Sequence, residues 1–257
     1  MSTTSNPERT VLVVGATGNQ GSAVIDQLLA SEAKFDVLAL TRDGTTDRAR
    51  AVAEKGDAVE VVEGHLDDRE TLTDPATRAD TVFTVVNFWT LGYDRQVRYG
   101  QTLAEVLAEA NGINHVVYSG VANQDLDTGI PHFDSSREVT EAFVSANLPL
   151  TTLKPVFFME NWEVMLEDIS EGTLAFPLAE GQQHQQTSYY DVARATRVAF
   201  ENPHEFIDTE HNIVSDVGTL AEIAESINAI GGFDADPYYV PIEDAYEQFG
   251  DEFGKMT

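Results

Sequence analysis

The segment Val11-Leu-Val-Val-Gly15-Ala-Thr-Gly18-Asn-Gln-Gly21 constrains this chain more than any other. Thr10 to Gly15 is a continuous apolar run, the pattern of a strand buried on both faces of a parallel sheet. Ser22 to Ser31 follows at helical spacing, with Val24, Ile25, Leu28 and Leu29 on one face. Three glycines stand between the two. Gly15 allows a tight turn off the strand, Gly18 lets backbone come close to a bound group, and Gly21 lets the helix pack against the sheet. A helix opened in this way aims unpaired N–H groups and its positive dipole end beyond the strand, which suits the pyrophosphate of a dinucleotide. Thr17, Asn19 and Gln20 complete the loop and are assigned with the glycines to cofactor binding.

The rest of the first half keeps the same rhythm. Strand patterns recur at Asp36–Thr41, Val59–Val62, Thr81–Val86, His115–Ser119 and Leu150–Lys154. Helical patterns cover Asp47–Lys55, Asp94–Asn111 and a segment through Val139 and Phe143. Strands alternating with helices predict an α/β fold, a Rossmann-type doubly wound parallel sheet, here over residues 8–156. After Pro155 the rhythm changes, and residues 157–257 are expected to form a smaller C-terminal α/β substrate or partner domain. It is expected to be partly interleaved, with residues 209–215 returning a strand to the sheet. Within it, Met159–Ile169 reads as helix and Gln182-Gln-His-Gln-Gln186 as loop. Asp191 is placed as the cap of a helix to Glu201, and Thr219 with Glu222 as a capping box for a helix turning Ile223, Ile227 and Ile230 inward.

The end of the second strand bears on which dinucleotide binds. An Asp or Glu there reads the ribose 2′-hydroxyl of NAD, and an Arg reads the 2′-phosphate of NADP. This chain has Leu40-Thr41-Arg42-Asp43. Arg42 can fork onto a phosphate and Thr41 can donate a hydrogen bond, so NADP(H) is favoured over NAD(H). Asp43 competes, because it can neutralise Arg42 itself.

Composition removes several classes. No cysteine is present, so disulfides, thiolate catalysis and Cys-ligated zinc are excluded, and the six histidines show no metal-binding spacing. No apolar run approaches the ~18 residues of a membrane span, and the polar start of the chain carries no signal pattern, so a cytoplasmic protein is expected. Fifteen basic residues against 44 acidic ones leave a net charge of −29, spread along the chain. Such a surface repels nucleic acid and anionic lipid. With lysine reduced to Lys34, Lys55, Lys154 and Lys255, it suits a halophilic source, where a ~3 Å screening length in molar salt relieves self-repulsion.

Gly15-Ala-Thr-Gly-Asn-Gln-Gly21, Thr41-Arg42, Val62-Glu-Gly-His-Leu-Asp-Asp68 and Asn87-Phe-Trp89 together carry a family likeness. Val117-Tyr-Ser-Gly120, His132-Phe-Asp134 and Pro155-Val-Phe-Phe-Met-Glu-Asn161 extend it, and the set resembles the NmrA-like family of atypical short-chain dehydrogenase/reductases. The resemblance implies an NADP(H)-binding domain with a small C-terminal domain. It implies that Asn87 and Phe88 line the cofactor, that Pro155 to Phe158 run past the nicotinamide, and that His65 and Leu66 lie after the third strand near the adenine. The family contains redox-sensing regulators that bind dinucleotide without turnover, and relatives that reduce quinones or other carbonyl compounds.

Two departures bear on activity. His65 stands where such enzymes place an aspartate for the adenine amine. The catalytic Tyr-x-x-x-Lys of active members aligns with His132 and Ser136, while Ser119 matches the active-site serine. A tyrosine there supplies a proton and a lysine lowers its pKa; serine cannot do the second task. His132 is either a replacement acid or a structural histidine, and Ser135 with Glu138 reads as a capping box that starts the helix at Ser136, leaving His132 outside it. Arg137 remains a candidate to hold the ribose. Trp89 and Trp162 can wall a pocket or pack in the core, Lys154 can serve as an amine or in a salt bridge, and Tyr189 and Tyr190 can reach a cleft. The leading reading is a dinucleotide-binding sensor or regulator acting through a protein partner. The alternative is an NADPH-dependent reductase of a small carbonyl or quinone, and a third is an ancillary protein with vestigial cofactor affinity.

Overall fold

Apolar strands buried at every consecutive residue need helices over both faces of their sheet. The computed structural model, which describes residues 9–250, has this arrangement. The first half runs β1 (Arg9–Val14), α1 (Asn19–Leu29), β2 (Phe35–Thr41), α2 (Asp47–Ala53), β3 (Val59–Glu63) and α3 (Arg69–Arg78). It continues with β4 (Thr81–Thr84), α4 (Phe88–Leu91), α5 (Tyr93–Glu109), β5 (His115–Ser119), α6 (Pro131–Ser145) and β6 (Leu150–Pro155). Then come β7 (Phe157–Phe158), a 3₁₀ helix (Met159–Met165), α7 (Leu166–Ser170), β8 (Thr173–Phe176), β9 (His184–Thr187), α8 (Tyr189–Glu201) and α9 (Pro203–Phe206). The last elements are β10 (Thr209–Ile213), β11 (Asp216–Gly218), α10 (Leu220–Gly231), β12 (Asp236–Tyr239) and α11 (Ile242–Phe249).

Chain contacts divide these elements into two units. Among the described residues, the first comprises 9–127, 132–155 and 189–213, and the second the remainder. In the first unit seven strands form one sheet in the order β10-β6-β5-β4-β1-β2-β3, each pair parallel. Strand order reverses between β1 and β4, the switch point beside which doubly wound sheets bind ligands. One face is covered by Leu72 and Ala76 of α3, Leu103 and Leu107 of α5, and Val139 and Phe143 of α6. A fully buried side chain of this size contributes roughly 1.5–3 kcal/mol. On α1, Val24, Ile25 and Leu28 are buried, and α1 packs against α8.

The expected return of a strand to the sheet is present as β10, in register with β6 from Thr209↔Thr151 to Ile213↔Pro155. The return starts earlier than that strand, because α8 and α9 also belong to the first unit. The sequence reading had no helix between the third and fourth strands, yet α3 lies there. Its ten residues are mostly polar and include Pro75, and burial rests on Leu72, Pro75 and Ala76, too few to reveal a helical stripe.

The second unit is built around Trp162, Ile169, Leu174, Phe176, Leu220, Ile223, Ala224 and Ala235. It holds two small sheets, β11-β9-β7 and β12-β8. Two expectations fail here, at Gln182–Gln186 and at Ile230. The polar run Gln182–Gln186 is not all loop: β9 begins at His184, and the His184 ring packs on Phe157 and Phe176 with centroids 4.8 and 5.2 Å away. Asp191 lies in the first turn of α8, which begins at Tyr189, where its charge favours the helix dipole. Ile230 is 89% exposed, while Ile223 and Ile227 face the core as expected. The Thr219–Glu222 capping box is present, with Thr219 N donating to Glu222 Oε2 at 2.8 Å.

Candidate functional site

Because the strands of the large sheet are parallel, their carboxyl ends share one edge. The loops after β1 (Gly15–Gly21), β2 (Thr41, Arg42), β3 (His65, Leu66), β4 (Asn87, Phe88), β5 (Ser119) and β6 (Pro155) therefore converge there. Of the residues singled out from sequence, Phe158 and Trp162 lie in the second unit, Phe158 on β7 opposite Thr187.

The glycine loop is shaped by contact and by open space. Gly15 has φ +79°, a turn that favours glycine, and its carbonyl accepts from Gly18 N at 3.0 Å. A Cβ on Gly21 would lie 2.2 Å from Gly15 O and 2.9 Å from Ala16 Cα, so α1 sits directly on the turn. Gly18 is different. Its φ of −87° and ψ of 169° suit any residue, and a Cβ there would meet only Gly15 O, at 3.3 Å. The backbone angles do not require glycine at this position, and a Cβ would only have to push Gly15 O back by a few tenths of an ångström. α1 has no side-chain cap, and its first turn carries no acidic residue. Each of the other helices of seven or more residues has an acid there: Asp47, Glu70, Asp94, Asp134, Asp191, Glu222 and Glu243 among them. In so acidic a chain, the N–H groups of Asn19, Gln20 and Gly21 keep a positive end suited to an anion.

At the end of β2, Arg42 is exposed. The competing Asp43 is committed elsewhere: its Oδ1 accepts from Thr45 Oγ1 at 2.6 Å and from Thr45 N at 2.8 Å. The Thr45 hydroxyl hydrogen bond is the main reason that the Asp43 carboxyl titrates below its usual range. Among the described residues Arg42 makes no ion pair with Asp43, whose charge is felt by Arg50 instead. Thr41 Oγ1 donates to Asp43 O at 3.3 Å, bracing the turn. His65 is held with Nδ1 accepting from Asp67 N at 3.0 Å and its ring edge-on to Tyr99, 5.5 Å away. Leu66 packs against the core.

Past the switch point, Asn87 caps α4, its Oδ1 accepting from Trp89 N at 2.9 Å. Trp89 is 63% exposed and tilts over the His132 ring, centroids 5.4 Å apart; Phe88 and Phe133 also contact that ring. Trp162 by contrast is a core residue, its Nε1 donating to Gln186 Oε1 at 2.7 Å.

The proposed capping box at Ser135 and Glu138 is absent. α6 starts at Pro131, a residue that favours the first helical position, so His132 and Ser136 share a face one turn apart. Ser135 Oγ instead donates to Gln96 Oε1 at 2.5 Å, and Glu138 accepts from the Tyr93 hydroxyl, which that bond pushes up to about 12. Ser136 Oγ lies 3.2 Å from the buried Tyr118 hydroxyl. The nearby cations are engaged: Arg137 with Asp134 at 3.3 Å, and Lys154 with Glu210 at 2.9 Å and Asp125 at 3.2 Å. Tyr190 is exposed on α8, and Tyr189 opens that helix.

One contact was not foreseen although both partners were named. Ser119 Oγ donates to Gln20 Oε1 at 2.7 Å, joining the phosphate loop to the end of β5. Among the described residues no cluster suited to a metal ion occurs, and no helix is long and apolar enough to cross a membrane.

A family model described as the NmrA-like family matches residues 7–256. The NmrA-like family domain-containing oxidoreductase notA of Aspergillus sp. (strain MF297-2) is 24% identical over 95% of this chain and 78% of its own length. The chain spans 33–48% of the length of three further curated NmrA-like oxidoreductases that it matches over shorter stretches. Among solved structures, the triphenylmethane reductase of Citrobacter sp., complexed with NADP(H), superposes with TM-score 0.78 at 20% identity, covering 96% of this chain and 87% of that one. NmrA, a negative transcriptional regulator in complex with NAD, superposes with TM-score 0.78 at 17% identity, covering 96% and 82%. At these identities the structural likeness speaks for the fold.

Proposed function

The chain belongs to the NmrA-like family, and from that premise we propose that it is an NADP(H)-binding sensor or regulator that binds the dinucleotide without fast turnover. The observation that carries the reading is Gly18: a glycine that the backbone does not need, beside an acid-free helix N-terminus in a chain of net charge −29. In this reading the N–H groups of Asn19, Gln20 and Gly21 hold the pyrophosphate. Arg42, free of Asp43, takes the ribose 2′-phosphate, which favours NADP(H) over NAD(H). His65, Leu66, Asn87, Phe88 and Pro155 line the remainder.

When bound, a nicotinamide supplies or accepts hydride, and a carbonyl substrate would then need a placed acid. The chain's own residues supply this poorly. Ser136 is turned to Tyr118, Arg137 and Lys154 are paired with carboxylates, and the Ser119 hydroxyl is given to Gln20. A sensor fits that arrangement, and its partner is a protein, because the acidic surface disfavours nucleic acid. The same surface suits a halophile's salt-rich cytoplasm.

A second reading, an NADPH-dependent reductase of a small carbonyl or quinone, draws support from His132 beneath the exposed Trp89. NADPH oxidation measured in molar KCl against quinones and aldehydes separates the two. The sensor reading expects binding with little oxidation; brisk oxidation of any acceptor replaces it with the reductase.

A further inference from the structure

The hydrogen bond between Ser119 and Gln20 crosses the switch point. Gln20 belongs to the first turn of α1, beyond β1, and Ser119 ends β5, two strands away across β4. If Arg42 at the end of β2 marks the adenosine half of the crevice and α1 its pyrophosphate, the other half lies over β4 and β5, where this pair stands.

The direction of the bond sets what the pair can offer. Ser119 Oγ gives its one proton to Gln20 Oε1 at 2.7 Å. Its lone pairs therefore remain acceptors. Gln20 Nε2 keeps two N–H donors that have no partner among the described residues. Gln20 is partly exposed, whereas Ser119 is buried at 3% exposure. An acceptor and a donor thus sit side by side on two side chains already bonded to each other.

The complementary ligand group is a primary carboxamide. Its oxygen can accept from Gln20 Nε2 while its N–H donates to Ser119 Oγ, which closes a ring of three hydrogen bonds. A carboxylate has no proton for Ser119 and adds charge to an acidic protein, and a methyl ketone keeps the oxygen but lacks the N–H. The geometry points to Gln20 and Ser119 as the reader of the nicotinamide carboxamide, selecting a nicotinamide dinucleotide over its nicotinic-acid counterpart. This rests on the dinucleotide reading and assigns Ser119 to ligand recognition in place of proton transfer.

The test is calorimetric titration in molar KCl with NADP+, its nicotinic-acid analogue, its acetylpyridine analogue and 2′-phospho-ADP-ribose, which lacks the ring. Wild-type protein is expected to bind NADP+ about tenfold more tightly than the acetylpyridine analogue, the effect of one net hydrogen bond, and to discriminate further against the acid. In Ser119→Ala and Gln20→Leu the ratio of the affinities for NADP+ and the acetylpyridine analogue, measured on the same variant so that any general loss at the phosphate loop cancels, falls to about one. Equal wild-type affinity for the carboxamide and acetyl analogues overturns the inference without any variant, as does a preference that survives both substitutions. Failure of wild type to bind either NADP+ or 2′-phospho-ADP-ribose overturns the dinucleotide reading itself.

Discussion

Two alanine substitutions in the glycine loop separate packing from ligand approach. In Gly21→Ala the new methyl carbon meets backbone alone, at 2.2 Å from Gly15 O, 2.7 Å from Gly15 C and 2.9 Å from Ala16 Cα. Unstrained contacts of this kind lie near 3.5 Å, so α1 must move off the turn by about 1 Å. Overpacking against backbone costs about 1–3 kcal/mol, and each kcal/mol lowers the melting temperature of a chain this size by roughly 2–4 °C. Affinity falls with it, because the displaced helix no longer aims its N–H groups. In Gly18→Ala the single contact is Gly15 O at 3.3 Å and the backbone angles are ordinary. Stability should change by no more than about 0.5 kcal/mol. The methyl group, however, stands in the space left for the phosphates. Losing one charge-assisted hydrogen bond there costs about 1.5–3 kcal/mol, at least tenfold in affinity. Thermal unfolding and fluorescence titration with NADPH, run on both variants, read the two quantities separately. If Gly18→Ala binds NADPH as tightly as the parent, the open space at Gly18 is not the phosphate site.

Three further outcomes follow from the same geometry. Thr151 Oγ1 donates to Phe206 O at 2.6 Å, so His115 Nε2, 2.7 Å away, must carry the hydrogen, and Nδ1 is left buried without a partner among the described residues. Burial foremost, then Arg9, lowers His115 from 6.5 to about 4, and burial lowers His184 likewise to about 4. Because the unfolded chain takes up these protons first, stability falls as pH drops from 6.5 towards 4, by up to ~1.4 kcal/mol per pH unit for each histidine. A His115→Gln variant whose acid limb matches the parent's would remove His115 from that account. The melting temperature should rise steeply with KCl as the net charge of −29 is screened, and a flat profile contradicts the halophile reading. His132→Ala should leave dinucleotide affinity unchanged and lower any residual carbonyl reduction by ~10²-fold or more, the smallest typical contribution of a general acid. Turnover that survives the substitution places the acid elsewhere.

The large sheet was legible in the sequence because its central strands carry apolar runs such as Val11–Val14 and Val37–Leu40 and its long helices are strongly amphipathic, as Val97, Leu103 and Leu107 on α5 illustrate. Even β10 could be foreseen, although it is far from its neighbour β6 in the chain. Segments with short or mixed signals were lost. α3 hides behind polar residues and Pro75, and β9 behind a run of glutamines of which Gln186 alone is buried. The start of α6 was misplaced because Ser135-x-x-Glu138 imitates a cap, and Pro131 was the better signal. At the site, residue types gave the loop and Arg42. The state of Asp43, the turn of Ser136 towards Tyr118 and the bond between Ser119 and Gln20 depend on side-chain directions that no spacing rule carries.

The central claim is that this edge of the sheet holds a dinucleotide and that Arg42 selects its phosphate. Titrating the wild-type protein and Arg42→Ala with NADPH and NADH in molar KCl tests it most directly. The account predicts saturable binding of one NADPH per chain, tighter than NADH, and a loss of about 1.5–3 kcal/mol for NADPH alone in the variant. Equal losses for both cofactors would take Arg42 out of the 2′-phosphate site, and no saturable binding of either to the wild-type protein would contradict the account as a whole.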